Sequence, residues 1–289
     1  HPNQEGPRQF MQAIVPSLFD ALAQGKPLPE RVSSGSVTLD SGKYLSFTPE
    51  GRAQAFTLDV LASANEDATI YTFLHGAKGQ YQGSLAVKAD GSVIYNSPLK
   101  DPLTSESKPM ADGKMHHLTL THYFARGITF LYIDGVLAGS VNERLTLGEV
   151  VLGNSTTPIN LGEIWFWRSG MNAEEIAAHV SGKLMKSSLE IYSPADADAA
   201  ETLANHAQSL NFVKINNSTA SGIDERGSDS FFRVTPAEGV VLIETAAPAE
   251  VVIYTMDGRV VRRLTVDNCA AVPLAQGLYL VNNHKVVIH

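Results

Sequence analysis

The stretch DGKMHHLTLTHYFARGITFLYIDGVLAGS, residues 112–140, predicts three strands joined by two tight turns. Leucine and threonine alternate over residues 118–121, which is the period-2 pattern of a half-buried strand. Residues 128–133 and 136–141 flank Asp134-Gly135, and this dipeptide favours a type I′ hairpin because both central positions of that turn need positive φ. The stretch therefore predicts an antiparallel meander.

The same residues resemble a known family. DGKMHHLTLTHY followed by LYIDGVLAGS is similar to the "DG-x-W-HH-V…LYVDG" signature of the laminin-G/concanavalin-A-like sandwiches, and the likeness continues through residues 147–153 and 161–176. The resemblance implies an antiparallel β-sandwich with a closing strand and a short helix. Members of that family bind sugars, bind proteins, or pack beside a catalytic domain, so the resemblance is specific for the fold and weak for function.

Composition narrows the function classes. The chain has 289 residues, with 30 acidic against 22 basic side chains and a net charge of -8. No stripe of lysine and arginine is present to meet phosphates, which argues against a nucleic-acid partner. The single cysteine, Cys269, excludes an internal disulfide, and no apolar run is long enough to span a bilayer as a helix. The first residues are polar, so an exported protein would carry its signal peptide outside this sequence.

Residues 1–25 predict a helix. Gly25 is a natural end for it, and Pro16 should kink or split it. Apolar side chains recur at i, i+4 steps: Phe10, Ile14, Leu18 and Leu22.

The beginning of the chain carries a second resemblance. His1, Pro2, Asn3 and Gly6 resemble the last block of SGNH/GDSL-type esterases and acetylhydrolases, which implies that His1 is a catalytic residue and that residues 1–25 are the remnant of an upstream domain. The family's aspartate and serine are not in this sequence, and an imidazole alone activates no nucleophile. The fragment is therefore expected to be inactive by itself. The alternative is that His1 is a tag residue or an arbitrary start.

Two all-β domains are expected after this segment. Strand patterns with Asp-Gly turns fill residues 30–216, one or two helical turns are expected within residues 194–209, and residues 217–230 form a polar linker. The last part, residues 231–289, predicts a smaller immunoglobulin-like β-sandwich.

This last part resembles the C-terminal sorting domain of type IX secretion cargo. The matching residues are a hairpin over 251–261, then 272–274, 277–279 and the terminal 285–288, in the family's order. The resemblance implies an address that is recognised by the outer-membrane translocon and is often removed afterwards. The alternative is a generic immunoglobulin-like accessory domain.

The candidate ligand-binding residues are Trp165 and Trp167. They alternate on one predicted strand and share a face, while Ile164 and Phe166 take the other face and suit the core. Paired aromatic rings on an outer face can stack on the apolar faces of sugars. The alternative, which we favour, is packing beneath the helix predicted at residues 173–180 or against a neighbouring domain; of the two tryptophans, Trp165 is the better ligand candidate.

Metal binding has little support in the sequence. His116 and His117 are adjacent on a strand and point to opposite faces, so they cannot share one ion, and His122 shares the face of His116 with no carboxylate beside them. We expect no metal site and no cofactor. Structural calcium, an occasional ligand of the resembling family, has no support either, because turn chemistry explains the aspartates at 90, 112 and 134 and Asp196-x-Asp198 is weak.

The sequence thus predicts a secreted or surface-attached, mostly β protein. Its leading interpretation is a non-catalytic accessory region that binds a carbohydrate or a surface protein and belongs to an SGNH-type esterase. Deacetylation of glycans is a candidate reaction for that esterase. The alternatives are a stand-alone surface adhesin and a purely structural spacer.

Overall fold

A computed structural model describes residues 11–76, 81–217, 232–237, 240–245, 248–255, 259–267, 269–281 and 284–288. The chain divides into two compact units, His1–Thr219 (unit 1) and Ala220–His289 (unit 2). The predictions that concern His1, residues 218–230 of the linker and the turn at Asp257-Gly258 lie outside the described residues. Within the described ranges, no helix is both long and apolar enough to cross a membrane.

Unit 1 is built from two antiparallel sheets. Sheet A has seven strands in the order β1-β12-β3-β8-β9-β10, with β13 also paired to β12. Its strands are β1 Val37–Leu39, β3 Phe56–Ser63, β8 His116–Tyr123, β9 Ile128–Ile133, β10 Val136–Val141, β12 Ile159–Trp167 and β13 Leu189–Pro194.

Sheet B has eight strands in the order β14-β15-β2-β11-β4-β5-β6-β7. They are β2 Lys43–Phe47, β4 Ala68–His75, β5 Tyr81–Val87, β6 Val93–Asn96, β7 Leu103–Thr104, β11 Leu147–Leu152, β14 Thr202–Leu203 and β15 Val213–Asn217. The helices described in unit 1 are α1 Leu18–Ala23, a 3-10 helix Pro109–Asp112 and α2 Ala173–Val180.

The predicted meander is confirmed. β8 pairs with β9 from Leu118↔Ile133 to Tyr123↔Ile128, and β9 pairs with β10 across the turn. Asp134 has φ 50° and Gly135 has φ 80°, the positive values that a type I′ turn requires.

The core of unit 1 lies between the two sheets. Side chains such as Leu58 and Leu120 from sheet A and Leu45 and Phe73 from sheet B belong to one buried cluster. Burying each side chain of this size contributes roughly 1.5–3 kcal/mol relative to exposure. The predicted all-β class, with an antiparallel sandwich, is therefore confirmed.

The predicted face of the N-terminal helix is wrong. Ile14 and Leu22 are 37% and 47% exposed, whereas Val15 and Ala21 are buried. Helical residues 11–13 are separated from α1 by an irregular stretch around Pro16. Because this break resets the helical phase, the i, i+4 relation does not extend across it.

The helical turns predicted within residues 194–209 are also absent from the described structure, which has β14 there instead. Asn205 fixes this segment: its Oδ1 accepts from the amides of Tyr192 and Ala207, and its Nδ2 donates to the carbonyls of Glu190 and Asn211. These hydrogen bonds, two of them to the backbone of β13, compete with the local helical tendency of the alanine-rich sequence.

The buried side chain of Arg168 binds the segment before β1 to the sandwich by hydrogen bonds. Its guanidinium donates to the carbonyls of Gln12, Glu50 and Arg52 at 2.6–2.7 Å and to Glu190 Oε2 at 2.6 Å. Both side chains of the ion pair are almost fully buried. Burial raises the pKa of Glu190, and Arg168 opposes this shift.

Unit 2 is a smaller sandwich of a three-stranded sheet, β16-β17-β20, and a four-stranded sheet, β19-β18-β21-β22. Its core draws on both sheets, with Ile243, Val251, Val272 and Val281 buried together. The strands are β16 Phe232–Ala237, β17 Val240–Thr245, β18 Ala249–Thr255, β19 Val260–Val266, β20 Cys269–Pro273, β21 Gly277–Val281 and β22 His284–Ile288.

We predict that Arg168→Met lowers the free energy of unfolding of unit 1 by ~3–5 kcal/mol, because the change leaves the Glu190 carboxylate buried without its cation. Urea denaturation measures the difference. Arg52→Met, which alters an exposed side chain, should stay within ~0.5 kcal/mol of the unmodified chain. Equal effects of the two substitutions would contradict the role given to the buried pair.

Candidate functional site

The outer face of sheet A, on the side away from the core, is covered by α2. The helix begins at Asn172 with a capping box: Asn172 Oδ1 accepts from the Glu175 amide at 2.9 Å, and Glu175 Oε2 accepts from the Asn172 amide at 2.8 Å. Ile176 and His179 are the buried residues of this helix. Asparagine followed three residues later by glutamate is a sequence signature of such a cap, and the cap fixes where α2 starts above the sheet.

Both tryptophans lie in an aromatic cluster under this cover. Trp165 and Trp167 stack with ring centroids 5.6 Å apart, and Tyr192 stacks on Trp165 at 3.5 Å. His179 meets both indoles edge-on, at 4.9 and 4.8 Å. Each indole N–H has a protein acceptor, Glu163 Oε2 for Trp165 and the Met185 carbonyl for Trp167.

The tryptophans therefore occupy the face that the sequence predicted, opposite Ile164 and Phe166, but that face is closed. Trp165 is 0% and Trp167 1% exposed. Stacking on a sugar needs an open ring face, and in this structure neither indole offers one. The predicted ligand-binding role of the pair would require α2 and Tyr192 to move away first.

A buried carboxylate lies beside the aromatic cluster. Asp59 Oδ2 is 2.7 Å from His117 Nδ1 and 3.0 Å from His179 Nε2, and Oδ1 accepts from the Thr119 hydroxyl at 2.6 Å. Burial disfavours the charged carboxylate, but His117 and His179 outweigh burial and hold the pKa of Asp59 well below its usual range. Burial likewise lowers the pKa of His117, and Asp59 outweighs it so that the net shift is upward.

Arg31 assigns the tautomer of His179. Its Nη2 lies 3.2 Å from His179 Nδ1, and a guanidinium can only donate, so Nδ1 accepts. The ring proton is then on Nε2, where it is donated to Asp59. Arg31 also lies over the Trp165 ring, 4.8 Å from its centroid, and 3.8 Å from Glu163. The cluster is thus a chain of hydrogen bonds from Arg31 to Asp59.

The same three side chains have the composition of a metal site. Ligand atoms of Asp59, His117 and His179 all lie within 4.8 Å of one another, and two imidazoles with a carboxylate suit zinc. However, a metal would need the lone pair of His179 Nε2, which would move the ring proton to Nδ1 and point it at an Arg31 N–H. The hydrogen-bond arrangement therefore fits these residues better, and the expectation of no metal stays a prediction.

His116 is the first residue of β8, and its ring lies between two carboxylates. Its Nδ1 is 2.6 Å from Asp134 Oδ2 and its Nε2 is 2.9 Å from Asp112 Oδ1. Burial lowers the pKa of His116, but the two carboxylates outweigh it and the net shift is upward. The expectation that no carboxylate accompanies His116 is wrong, because the hairpin turn brings Asp134 back over the start of β8.

His122 has a purely structural environment. It is buried, its Nε2 accepts from the Leu145 amide at 3.0 Å, and its Nδ1 is 2.9 Å from Thr129 Oγ1. Burial lowers the pKa of His122 to about 4. The ring is therefore neutral near neutral pH and serves to bind the loop before β11.

The aspartates that turn chemistry was expected to explain do take turn roles. Asp90 Oδ1 accepts from the amide and the hydroxyl of Ser92, Asp112 Oδ1 accepts from the Lys114 amide, and Asp134 takes a positive φ in the hairpin turn. Structural calcium stays without support.

An open pocket lies where β7 of sheet B approaches β10 of sheet A. Its volume is about 300 Å³. Leu103 packs directly on Gly139, where an added Cβ would meet its side chain at 2.7 Å, so this close approach joins the two sheet edges. We call it the edge pocket; its lining residues are Lys100, Asp101, Pro102, Leu103, Ser140, Val141 and Asn142.

A buried carboxylate fixes the loop that forms the pocket's rim. Glu143 accepts from the hydroxyls of Tyr95 at 2.6 Å and Ser97 at 2.5 Å. Ser97 Oγ in turn accepts from the amides of Leu99 at 3.0 Å and Lys100 at 2.9 Å. The rim is therefore preorganised. Sequence reasoning identified this region only as a loop, and no local pattern indicates a pocket there.

A second pocket, of about 350 Å³, lies between loops that include Asn65, Lys88 and Asp112. The Asp112 carboxylate is already engaged by His116, by the Lys114 amide and by the Lys114 ammonium at 3.5 Å. This pocket is the weaker candidate for a ligand site, because the Asp112 carboxylate already binds His116 and Lys114 at the start of β8.

Fold and site together define a two-unit, all-β protein whose larger unit is an antiparallel sandwich with a closed outer face and an open pocket at its edge. No family model matches the sequence, and no curated protein matches it either.

Solved structures of similar fold were found. A proposed carbohydrate-binding protein from Bacteroides ovatus matches at TM-score 0.49 and 13% identity; the match covers 65% of this chain, which spans only 60% of that one. The heptameric SAP-like pentraxin of Limulus polyphemus matches at TM-score 0.45 and 14% identity, over 67% of this chain and 100% of that one. The CBM40 domain of a Ruminococcus gnavus sialidase, bound to α2,3-sialyllactose, matches at TM-score 0.34 and 12% identity, over 53% of this chain and 97% of that one. Likenesses this distant do not transfer a ligand to this chain.

We predict that His117 makes stability depend on pH. The pKa of His117 is raised in the folded state above the usual histidine value of 6.5, so its contribution is fully present below that value and is lost as pH rises through the folded-state pKa. The stability advantage of the unmodified chain over His117→Gln, measured by urea denaturation, should therefore stay constant at acidic pH and shrink as the pH rises above about 6.5.

His206→Gln is the control with the opposite sign. Burial, helped by Lys26, lowers the pKa of His206, so the advantage of the unmodified chain over this variant should grow as pH rises. A pH-independent difference for His117→Gln would show that the Asp59 cluster does not titrate as described.

Proposed function

We propose that unit 1 is a non-catalytic binding module whose ligand is a glycan, and that the ligand binds in the edge pocket. The observation that carries this proposal is the pocket's mixed chemistry on a preorganised rim. The two tryptophans and the Asp59 cluster, by contrast, are buried beneath α2.

The pocket matches the amphipathic surface of a sugar ring. Leu103 and Val141 supply apolar contact for the C–H face of a ring. Polar side chains stand on the rim, and none of them forms a side-chain hydrogen bond or ion pair with another described residue: Lys100, Asp101, Ser140 and Asn142. Exposed, uncommitted donors and acceptors around an apolar floor are what a binding site needs to fix the orientation of sugar hydroxyls.

The described residues lack the groups for hydrolysis at this pocket. Glycosidic cleavage uses a pair of carboxylates, yet Asp101 stands alone on the rim because both oxygens of Glu143 are occupied by hydroxyl donors. The Thr119 hydroxyl next to the Asp59–His117 pair donates to Asp59 at 2.6 Å, so its proton is directed to the carboxylate and not to the imidazole. Binding without catalysis is the activity that this arrangement supports.

The wider setting rests on the sequence resemblances. In our proposal the module belongs to a secreted or surface-attached protein, unit 2 is a type IX sorting domain that meets the outer-membrane translocon, and His1 belongs to an SGNH-type esterase upstream. A protein ligand, a stand-alone adhesin and a plain spacer are the competing roles for unit 1.

We predict that a glycan array with the whole chain gives defined signals, and that Asp101→Ala and Asn142→Ala each weaken binding of the best ligand about tenfold or more. Each change removes hydrogen bonds to sugar hydroxyls. A hydrogen bond to a charged group such as the Asp101 carboxylate is worth ~1.5–3 kcal/mol. Isothermal titration calorimetry with the best array ligand gives the affinities.

Two controls separate the pocket from other sites. Glu149→Ala changes an exposed acidic residue outside the pocket and should leave binding unchanged. Trp165→Phe keeps an aromatic ring in the closed cluster, so it should also leave binding unchanged once folding is verified by circular dichroism. Loss of binding in Trp165→Phe alone would move the site to the tryptophans, and an array without signal would favour the spacer.

We predict that deleting residues 231–289 leaves unit 1 folded and retained in the periplasm, because unit 1 has its own core and the deleted part carries the proposed address. Cell fractionation and protease accessibility measure the location. Appending residues 231–289 to an unrelated periplasmic protein should conversely bring that protein to the surface. Normal surface display of the truncated chain would refute the address.

A further inference from the structure

Strand β19 of unit 2 is an open sheet edge. It stands first in the order β19-β18-β21-β22 and pairs with β18 alone among the described strands. An edge strand presents a row of backbone N–H and C=O groups that can pair with another chain.

The strand is exposed on both of its faces. Four successive residues, from Val260 to Arg263, are exposed, whereas a strand lying over a core would alternate between buried and exposed positions. Val260 and Val261 are 46% and 43% exposed. The strand joins the core only towards its end, where Val266 is buried and Leu264 packs against the cluster. Its first half therefore projects beyond the core that the described residues form.

This projecting half is positively charged in a chain that is acidic as a whole. Arg259, Arg262 and Arg263 are exposed within five consecutive residues, and the net charge of the chain is -8. Arg263 makes an exposed ion pair with Glu250 at 3.4 Å. No described side chain neutralises Arg259 or Arg262.

We propose that β19 is a docking edge for an extended, acidic segment of a partner protein, which adds to the four-stranded sheet as a further strand. Main-chain hydrogen bonds supply the pairing, Val260 and Val261 supply apolar contact, and the arginines select acidic side chains opposite them. This goes beyond the glycan site and is independent of it.

Charge also selects against a second copy of this chain at the same edge. Antiparallel pairing of residues 260–266 with the same residues of a second copy places Arg263 opposite Arg263, and like charges on facing strands are unfavourable. A partner segment with acidic side chains on both of its faces, beside apolar residues, has no such repulsion.

The test uses the whole chain and short fluorescent peptides in anisotropy titrations. The first peptide repeats Glu-Glu-Val-Val, so that its glutamates point to both faces of the added strand as Arg262 and Arg263 do. The second peptide replaces glutamate with lysine, and the third is the first with alternate backbone amides methylated. The first peptide should bind at least tenfold more tightly than either of the others, and added salt should weaken its binding.

The matching protein variant is Arg262→Glu with Arg263→Glu, which should lose the glutamate peptide and gain the lysine peptide. Arg52→Glu with Arg126→Glu makes the same change of charge in unit 1 and should alter neither. Equal binding of the methylated peptide would show that electrostatic attraction accounts for the binding without main-chain hydrogen bonds. Absence of binding would mean that the arginines only block edge-to-edge aggregation, and dimerisation through β19 in sedimentation experiments would make the partner a second copy. Each of these three results overturns the proposal.

Discussion

The buried carboxylate of Asp59 is the constraint on which the closed face of unit 1 depends. A charge at this depth is tolerated only if donors surround it, since removing a partner from a buried ion pair costs about 3–5 kcal/mol. Strand β8 supplies His117 and Thr119, and α2 supplies His179. The helix is consequently tied to one position above sheet A, and the aromatic cluster lies sealed beneath it.

This constraint decides where binding can occur. With Trp165 and Trp167 enclosed, these two rings offer no surface to a ligand, and exposed polar side chains lie at the sheet edge instead. A second buried acid, Glu143, holds the rim of the edge pocket in the same way that Asp59 holds α2. The oxygens of each buried carboxylate are thus occupied by hydrogen bonds, and these bonds fix the position of a surface element.

Open edges recur in both units as the surfaces available to partners. In unit 1 the pocket forms where β7 meets β10, and in unit 2 the strand β19 projects beyond its core. Edges are where a sandwich has spare backbone groups and uncommitted side chains, because its faces are used for the core. The charged side chains at the two edges differ. The pocket has both signs of charge without partners among the described residues, whereas the exposed charges along β19 are mainly positive.

The sequence by itself determined the strands of the 112–140 meander, the positive φ of Asp134-Gly135 and the cap at Asn172, because each follows from sterics and hydrogen bonds within a few residues. It also separated the two faces of β12 correctly. Only the tertiary structure decided what covers those faces. Asp59 and His117 are 58 residues apart, and Asp59 and His179 are 120 apart, so no local pattern predicts that they meet. The edge pocket arises in the same way, from the approach of strands in different sheets, which depends on packing and not on periodicity.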